Sequence, residues 1–231
     1  MFLSSFTLGI LLGAQHAFDP DHLAAVAALN ARSVSSKEAI RQGMFWGLGH
    51  TITLFVFCSF VIVIGSQISE PIAAILEFLV GLMLVILGGN VIRLVIKNKI
   101  HFHKHKHGDI EHFHAHSHVH DAGHDFSNHH HKHLDKLPLR ALMIGLIHGL
   151  AGSAALSILA FGTADSIWQG LGFVLLFGLG SIVGMVAISA TISIPLKMKL
   201  FESDKVHQNL RLIIGVATFF LGGSIMWSTG I

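Results

Sequence analysis

The sequence predicts an all-α integral membrane protein with six transmembrane helices, arranged as two inverted three-helix repeats. Three observations lead to this prediction: an apolar composition, six long apolar stretches and a similarity between the two halves. Of the 231 residues, 52% are hydrophobic and only 12% are charged, whereas a soluble domain carries about 25% charged residues. Most of the chain is therefore suited to lipid and not to water.

The apolar stretches have the length of membrane-spanning helices. A helix needs roughly 20 mostly apolar residues to cross a hydrocarbon core about 30 Å thick. The stretches that qualify are about 3–30, 40–66, 71–97, 139–161, 167–196 and 206–229. Because no basic residues precede the first stretch and no cleavage site follows it cleanly, we predict a retained helix there and not a signal peptide. Glycines at small-xxx-small spacing predict close helix packing, in the pairs Gly9/Gly13, Gly43/Gly47, Gly145/Gly149 and Gly180/Gly184.

The loops between these stretches alternate in charge. Lysine and arginine flank the first, third and fifth loops, whereas the second offers only Glu70 and the fourth only Asp165. By the positive-inside rule the odd-numbered loops are cytoplasmic. We therefore expect a multi-pass protein of the plasma membrane with both termini outside.

The two halves of the chain resemble each other. "FWGLGHT" matches "LFGLGSI", "LVILGGN" matches "TFFLGGS", and His16 corresponds to His148, at separations of 131 to 134 residues. Each half contains three spans, so the second half must enter the membrane from the opposite side. The predicted organisation is a first repeat at 1–97, a loop at 98–137 and a second repeat at 138–231.

The third loop is rich in histidine. Residues 101–133 contain 14 of the 19 histidines, with too few apolar residues for a core. We expect this cytoplasmic segment to be disordered without metal. It could receive imported metal, collect metal for export, or serve as a solvated linker.

The first apolar stretch contains ionisable residues at membrane depth, in "QHAFDPDHLAAV". His16, Asp19, Asp21 and His22 are costly there, which indicates function, and imidazole with carboxylate suits a divalent transition metal. Pro20 removes a helical hydrogen bond and would break the helix, turning His16, Asp21 and His22 inward. The alternative is a helix–loop boundary at the membrane surface, but the apolar run continues after the cluster.

Two further histidines, His50 and His148, lie inside other apolar stretches. Either could make only an interhelical hydrogen bond, yet His148 corresponds to His16 in the repeat, and the position matching His50 is Ser181. Two inverted halves would meet at the midplane, where such proteins bind their substrates. The candidate metal-binding residues are His16, Asp19, Asp21, His22, His50 and His148.

These motifs resemble those of the nickel/cobalt transporter (NiCoT) family. "HAFDPDH" resembles its H-x4-D-H signature, "FWGLGHTITLF" its second signature, and "HGLAGSAAL" the third signature of the shorter, urease-accessory-type nickel permeases. The resemblance implies that His16, Asp21 and His22 are metal ligands or selectivity determinants. It also implies that His50 lies on the path of the metal ion, and that His148 is a site residue carried over from the shorter, variant branch. Two additional helices and an acidic third signature of larger members are missing, and Pro20 replaces a small residue.

The expected function is uptake of Ni²⁺, with Co²⁺ as a second candidate cargo, and the alternative is a nickel/cobalt efflux permease. The sequence contains neither the G-x-x-x-x-G-K-[ST] motif of ATP-binding proteins nor the H-E-x-x-H motif of metalloproteases. An intramembrane metalloenzyme and a metal sensor or buffer remain as other classes. We expect no enzyme activity, no cofactor and no nucleic acid partner. The expected partners are the lipid bilayer and divalent transition metal ions, and the oligomeric state stays open.

Overall fold

The computed structural model describes residues 2–31, 33, 35–65, 68–97, 101–107, 110–116, 138–150, 166–194 and 204–231. Its helices are α1 (Phe2–His16), α2 (Pro20–Asn30), α3 (Ser36–Ile64), α4 (Glu70–Lys97), α5 (Leu139–Leu150), α6 (Ile167–Ser193) and α7 (Asp204–Ser228). Helices α3, α4, α6 and α7 are long and apolar enough to cross a membrane. The predicted helical membrane fold is confirmed to this extent. Part of the fourth predicted span, residues 151–161, lies outside the described residues.

The first predicted span consists of two helices and not one. Helix α1 ends at His16, and α2 begins at Pro20. Asp19 occupies the N-cap position of α2 with an extended backbone, φ −61° and ψ 146°. Proline is well suited to the first helical position because it has no N–H to leave unpaired. The predicted break at Pro20 is therefore confirmed.

Serine side chains cap the N-termini of α3 and α6, the two long helices that contain "FWGLGHT" and "LFGLGSI". Ser35 Oγ accepts a hydrogen bond from the Glu38 N–H at 3.0 Å at the start of α3. Ser166 Oγ accepts from the Gln169 N–H at 3.3 Å at the start of α6. Each serine satisfies one of the N–H groups that a helix start leaves without an internal partner. Ser35 and Ser166 are 131 residues apart, the same separation as the matched motifs "FWGLGHT" and "LFGLGSI".

Glycines allow the helices to pack backbone against backbone. A side chain on Gly13 would collide with the Phe177 carbonyl of α6, and one on Gly145 with the Trp46 carbonyl of α3. Close approach of this kind is how membrane helices associate without a hydrophobic driving force. The packing predicted from glycine spacing is thus confirmed for these pairs of helices.

Helix α2 lies in the interior of the bundle. It contacts α3, α4, α6 and α7, and its buried residues include small ones such as Ala25 and Ala28. The core around it also contains Val26, Trp46 and Met185. A short helix surrounded in this way holds its polar residues away from lipid.

The outer surface of the long helices is apolar. Each of the four exposes large hydrophobic side chains, among them Val56, Ile86, Val183 and Phe220. Trp168 at the start of α6 and Trp227 near the end of α7 are also highly exposed. Tryptophans near helix ends are typical of the membrane–water interface, so this surface is suited to a bilayer.

Two paired β-strands lie within the histidine-rich segment, where the sequence predicted disorder. Strand β1 (His101–His107) pairs antiparallel with β2 (Ile110–His116). The register sets His101, His103 and His105 opposite His116, His114 and His112. The alternation of histidine with other residues has the period of two that a strand requires. The rest of the predicted loop, including residues 117–137, lies outside the described residues.

Candidate metal site

The turn between α1 and α2 brings ionisable residues into the middle of the bundle. His16 ends α1, Asp19 precedes α2, and Asp21 and His22 form its first turn. The helix break lets residues on both sides of Pro20 face the same point, which a continuous helix would spread over several faces. His50 of α3 and His148 of α5 approach from the neighbouring helices.

The four imidazole rings form one cluster. The ring centre of His22 lies 4.3 Å from that of His16, 4.9 Å from His50 and 4.1 Å from His148. His16, His22 and His50 each place a ligand atom within 4.8 Å of the others, and so do Asp21, His22 and His148. The structure therefore brings together all the histidines that the sequence predicted at membrane depth.

Two carboxylates hydrogen-bond to three of these rings. Asp19 Oδ2 lies 2.7 Å from His16 Nδ1. Asp21 Oδ1 lies 2.9 Å from His22 Nδ1, and Asp21 Oδ2 lies 3.0 Å from His148 Nε2. Because an ionised carboxylate only accepts hydrogen bonds, each contacted nitrogen carries the proton. The other nitrogen of each ring is then left with a lone pair for a metal.

Those other nitrogens are buried and have no hydrogen-bond partner among the described residues. They are His16 Nε2, His22 Nε2 and His148 Nδ1, and both nitrogens of His50 share this property. A buried polar atom without a partner costs about 1–3 kcal/mol. Several such atoms around one point indicate a missing ligand, and neutral imidazole is the commonest protein ligand for transition metals.

Exposure decreases from one side of the cluster to the other. The Asp19 side chain is 50% exposed, Asp21 is 27% exposed and His16 is 19% exposed. His22, His50 and His148 are almost fully buried, at 1% or less. A helix–loop boundary with its polar groups in solvent would expose His22, whereas His22 is buried inside the bundle. Access to the cluster is on the Asp19 side.

Two aromatic residues that the sequence analysis did not single out border the histidines. The Trp46 ring lies 5.4 Å from that of His22 and 5.5 Å from that of His148. The Phe177 ring lies 5.3 Å from that of His16. Each is the second residue of its matched segment, "FWGLGHT" or "LFGLGSI", directly before the Gly-x-Gly, so the repeat alignment already contained the signal for them.

Comparisons with known proteins find a matching family model and a curated relative. The family model described as "NicO: High-affinity nickel-transport protein" matches residues 2–213. The chain is 35% identical over 229 residues to the "Urease accessory protein UreH" of Bacillus sp. (strain TB-90), covering 99% of this chain and 93% of the relative. Among solved structures, none matches.

Proposed function

The chain belongs to the family of high-affinity nickel-transport proteins, and from this premise we propose that it takes up Ni²⁺ across the plasma membrane through the buried histidine cluster. As a member of that family it is a transport protein and not an enzyme. The observation that supports the site most strongly is the convergence of imidazole nitrogens that lack partners among the described residues. Polar groups of this kind inside a bilayer protein mark the path of an ion.

Three imidazoles hold the cation in this proposal: those of His16, His22 and His50. Their ligand atoms lie within 4.8 Å of one another, so modest side-chain rotation brings all three to one ion. Imidazole suits Ni²⁺ and Co²⁺ and is a poor ligand for Mg²⁺ and Ca²⁺. Co²⁺ is the second cargo, and it binds more weakly than Ni²⁺ at a given nitrogen site.

The two carboxylates orient the imidazoles. Asp19 holds the His16 ring through Nδ1, and Asp21 holds His22 and His148 together. A carboxylate on the far nitrogen of a metal-binding histidine sets its tautomer and raises its basicity. His148 and Asp21 lie close enough to join the coordination, because a ligand atom of each lies within 4.8 Å of one of His22.

Uptake is the direction that needs no further energy source. A dication that moves inward through about 100 mV, inside negative, gains about 4.6 kcal/mol, twice the roughly 2.3 kcal/mol per charge. Export would have to oppose this gain and would require a coupled ion. We therefore favour uptake over the efflux alternative.

We also propose that two inverted three-helix halves surround the site, with the termini outside and the histidine-rich loop in the cytoplasm. The contacts between α4 and α7 support this arrangement, because Gly81 packs on Gly222 and Gly88 packs on Gly215. The sequence repeat makes Gly88 equivalent to Gly222 and Gly81 to Gly215. A twofold axis in the membrane plane exchanges the two contacts, as inverted repeats require.

Uptake of ⁶³Ni²⁺ by metal-limited cells that express the chain tests the function. We expect accumulation above the empty-vector level, and its loss in His16→Ala and His22→Ala. His207→Ala, in the first turns of α7, is the control histidine and should accumulate nickel like the parent. Parental accumulation by both site variants would refute the proposed site, and reduced accumulation by the parent would indicate export.

A further inference from the structure

Asn30 is the last residue of α2 and is unusual for a side chain in the core. It is 1% exposed, and neither its Oδ1 nor its Nδ2 has a hydrogen-bond partner within the described part of the chain. An apolar residue of similar size would avoid the cost of two unpaired polar atoms. A carboxamide at this point therefore needs a reason other than packing.

The position of Asn30 relative to the histidines suggests that reason. Helix α2 carries His22 in its first turn and Asn30 at its end. Eight residues separate them, which places Asn30 about 12 Å further along the helix at 1.5 Å per residue. The half-exposed Asp19 lies at the opposite end of α2. Access, histidine cluster and carboxamide therefore follow one another along a single helix.

A second polar atom lies just beyond Asn30. The Ser33 N–H donates to the Asn30 carbonyl at 2.9 Å, and the Ser33 hydroxyl is also buried without a partner among the residues that the structure describes. Between this pair and His22, α2 buries the apolar Val26 and Leu29. The two ends of α2 are thus separated by an apolar segment.

The chemistry of this pair differs from that of the histidine cluster. Amide and hydroxyl oxygens are neutral, hard ligands that hold a transition metal more weakly than imidazole does. They can also accept hydrogen bonds from the water shell of a cation. Conduction requires sites that bind well enough for the ion to enter and weakly enough for it to leave.

We propose that Asn30, assisted by Ser33, is an inner station at which the dication regains water after it leaves the histidine cluster and before it enters the cytoplasm. The inference rests on the proposed uptake function and orientation. It assigns Asn30 to the rate of passage, whereas the histidines determine affinity.

The test uses the full chain in liposomes that contain a nickel-sensitive dye, together with equilibrium Ni²⁺ binding. Asn30→Leu should bind Ni²⁺ with the parental Kd but transport it at a maximal rate lower by roughly tenfold, the loss expected when a hydrogen bond to a charged species is removed. Asn30→Asp retains an oxygen at the same place and should keep most of the rate. Ser59→Ala is the control, because it removes a hydroxyl of α3 that is buried and has no partner among the described residues. Ser59 follows His50 by nine residues along α3 and so lies on the other side of the histidines from Asn30.

The outcomes separate this proposal from the function on which it rests. Parental transport by Asn30→Leu beside an inactive His22→Ala would refute only the inner station. Parental transport by His22→Ala would refute the proposed function. If Asn30→Leu and Asn30→Asp both lost thermal stability and Ni²⁺ affinity, Asn30 would be a structural residue and the inference would be wrong. An equal loss of rate in Ser59→Ala would also refute it.

Discussion

Replacement of Asp19 tests whether this carboxylate orients a metal ligand or is one itself. The side chain lies at the N-cap of α2 yet makes no capping hydrogen bond, and it contacts His16 Nδ1 at 2.7 Å instead. Loss of such an outer carboxylate typically lowers metal affinity about 10- to 100-fold, which corresponds to about 1.4–2.7 kcal/mol. Because Asp19 is 50% exposed, water can replace part of the interaction. We therefore expect Asp19→Ala to lower the Ni²⁺ affinity by about 10-fold, the lower end of this range.

Equilibrium Ni²⁺ titration of the purified protein, with X-ray absorption of the bound metal, measures the effect. Asp19→Ala should raise the Kd while the number of nitrogen ligands stays the same. Asp19→Asn keeps an acceptor for the Nδ1–H without the charge and should fall between the parent and Asp19→Ala. Glu70→Ala removes the carboxylate that begins α4, which belongs to neither group of candidate metal-binding residues, and should leave the Kd unchanged.

Two results would refute this reasoning about Asp19. A parental Kd for Asp19→Ala would mean that the contact with His16 has no influence on binding. A loss as large as that of His16→Ala, with one fewer oxygen ligand in the absorption spectrum, would make Asp19 a direct ligand.

Three further predictions concern packing, an interhelical hydrogen bond and selectivity. Gly145→Ala should destabilise the protein by about 1–3 kcal/mol, because its methyl group would meet the Trp46 carbonyl. The loss is measured as a lower thermal midpoint of unfolding in detergent. Gly223→Ala, whose added carbon meets no described atom within 4 Å, should leave the thermal midpoint unchanged. Equal midpoints for Gly145→Ala and Gly223→Ala would contradict the packing. Thr51→Val removes a buried bond of 3.0 Å to the Gly178 carbonyl and should cost about 1 kcal/mol of stability at an unchanged Kd for Ni²⁺; a changed Kd would contradict a purely structural role. Excess Co²⁺ should inhibit ⁶³Ni²⁺ uptake and excess Mg²⁺ should not, and inhibition by Mg²⁺ would argue against an imidazole site.

The sequence was sufficient for the features that depend on composition and local order. Apolar stretches of spanning length predicted a helical membrane protein, since no other solvent suits so many hydrophobic residues. Pro20 predicted the helix break, because proline removes the same backbone N–H in any context. Membrane depth marked His16 and His22 as candidates for function, because burying ionisable groups there is costly, and the repeat positions added His50 and His148 as candidates.

Tertiary structure decided which of these groups interact and which atoms stay free. Asp21 bridges His22 and His148. Because Asp21 and His148 are 127 residues apart in the sequence, no local pattern specifies their contact. The same holds for Trp46 and Phe177 beside the rings, and for Asn30, which reads in the sequence as an ordinary polar residue at a helix end. A side chain's partners depend on how helices pack in three dimensions, so an unpaired nitrogen or carboxamide becomes visible only once every neighbour is in place.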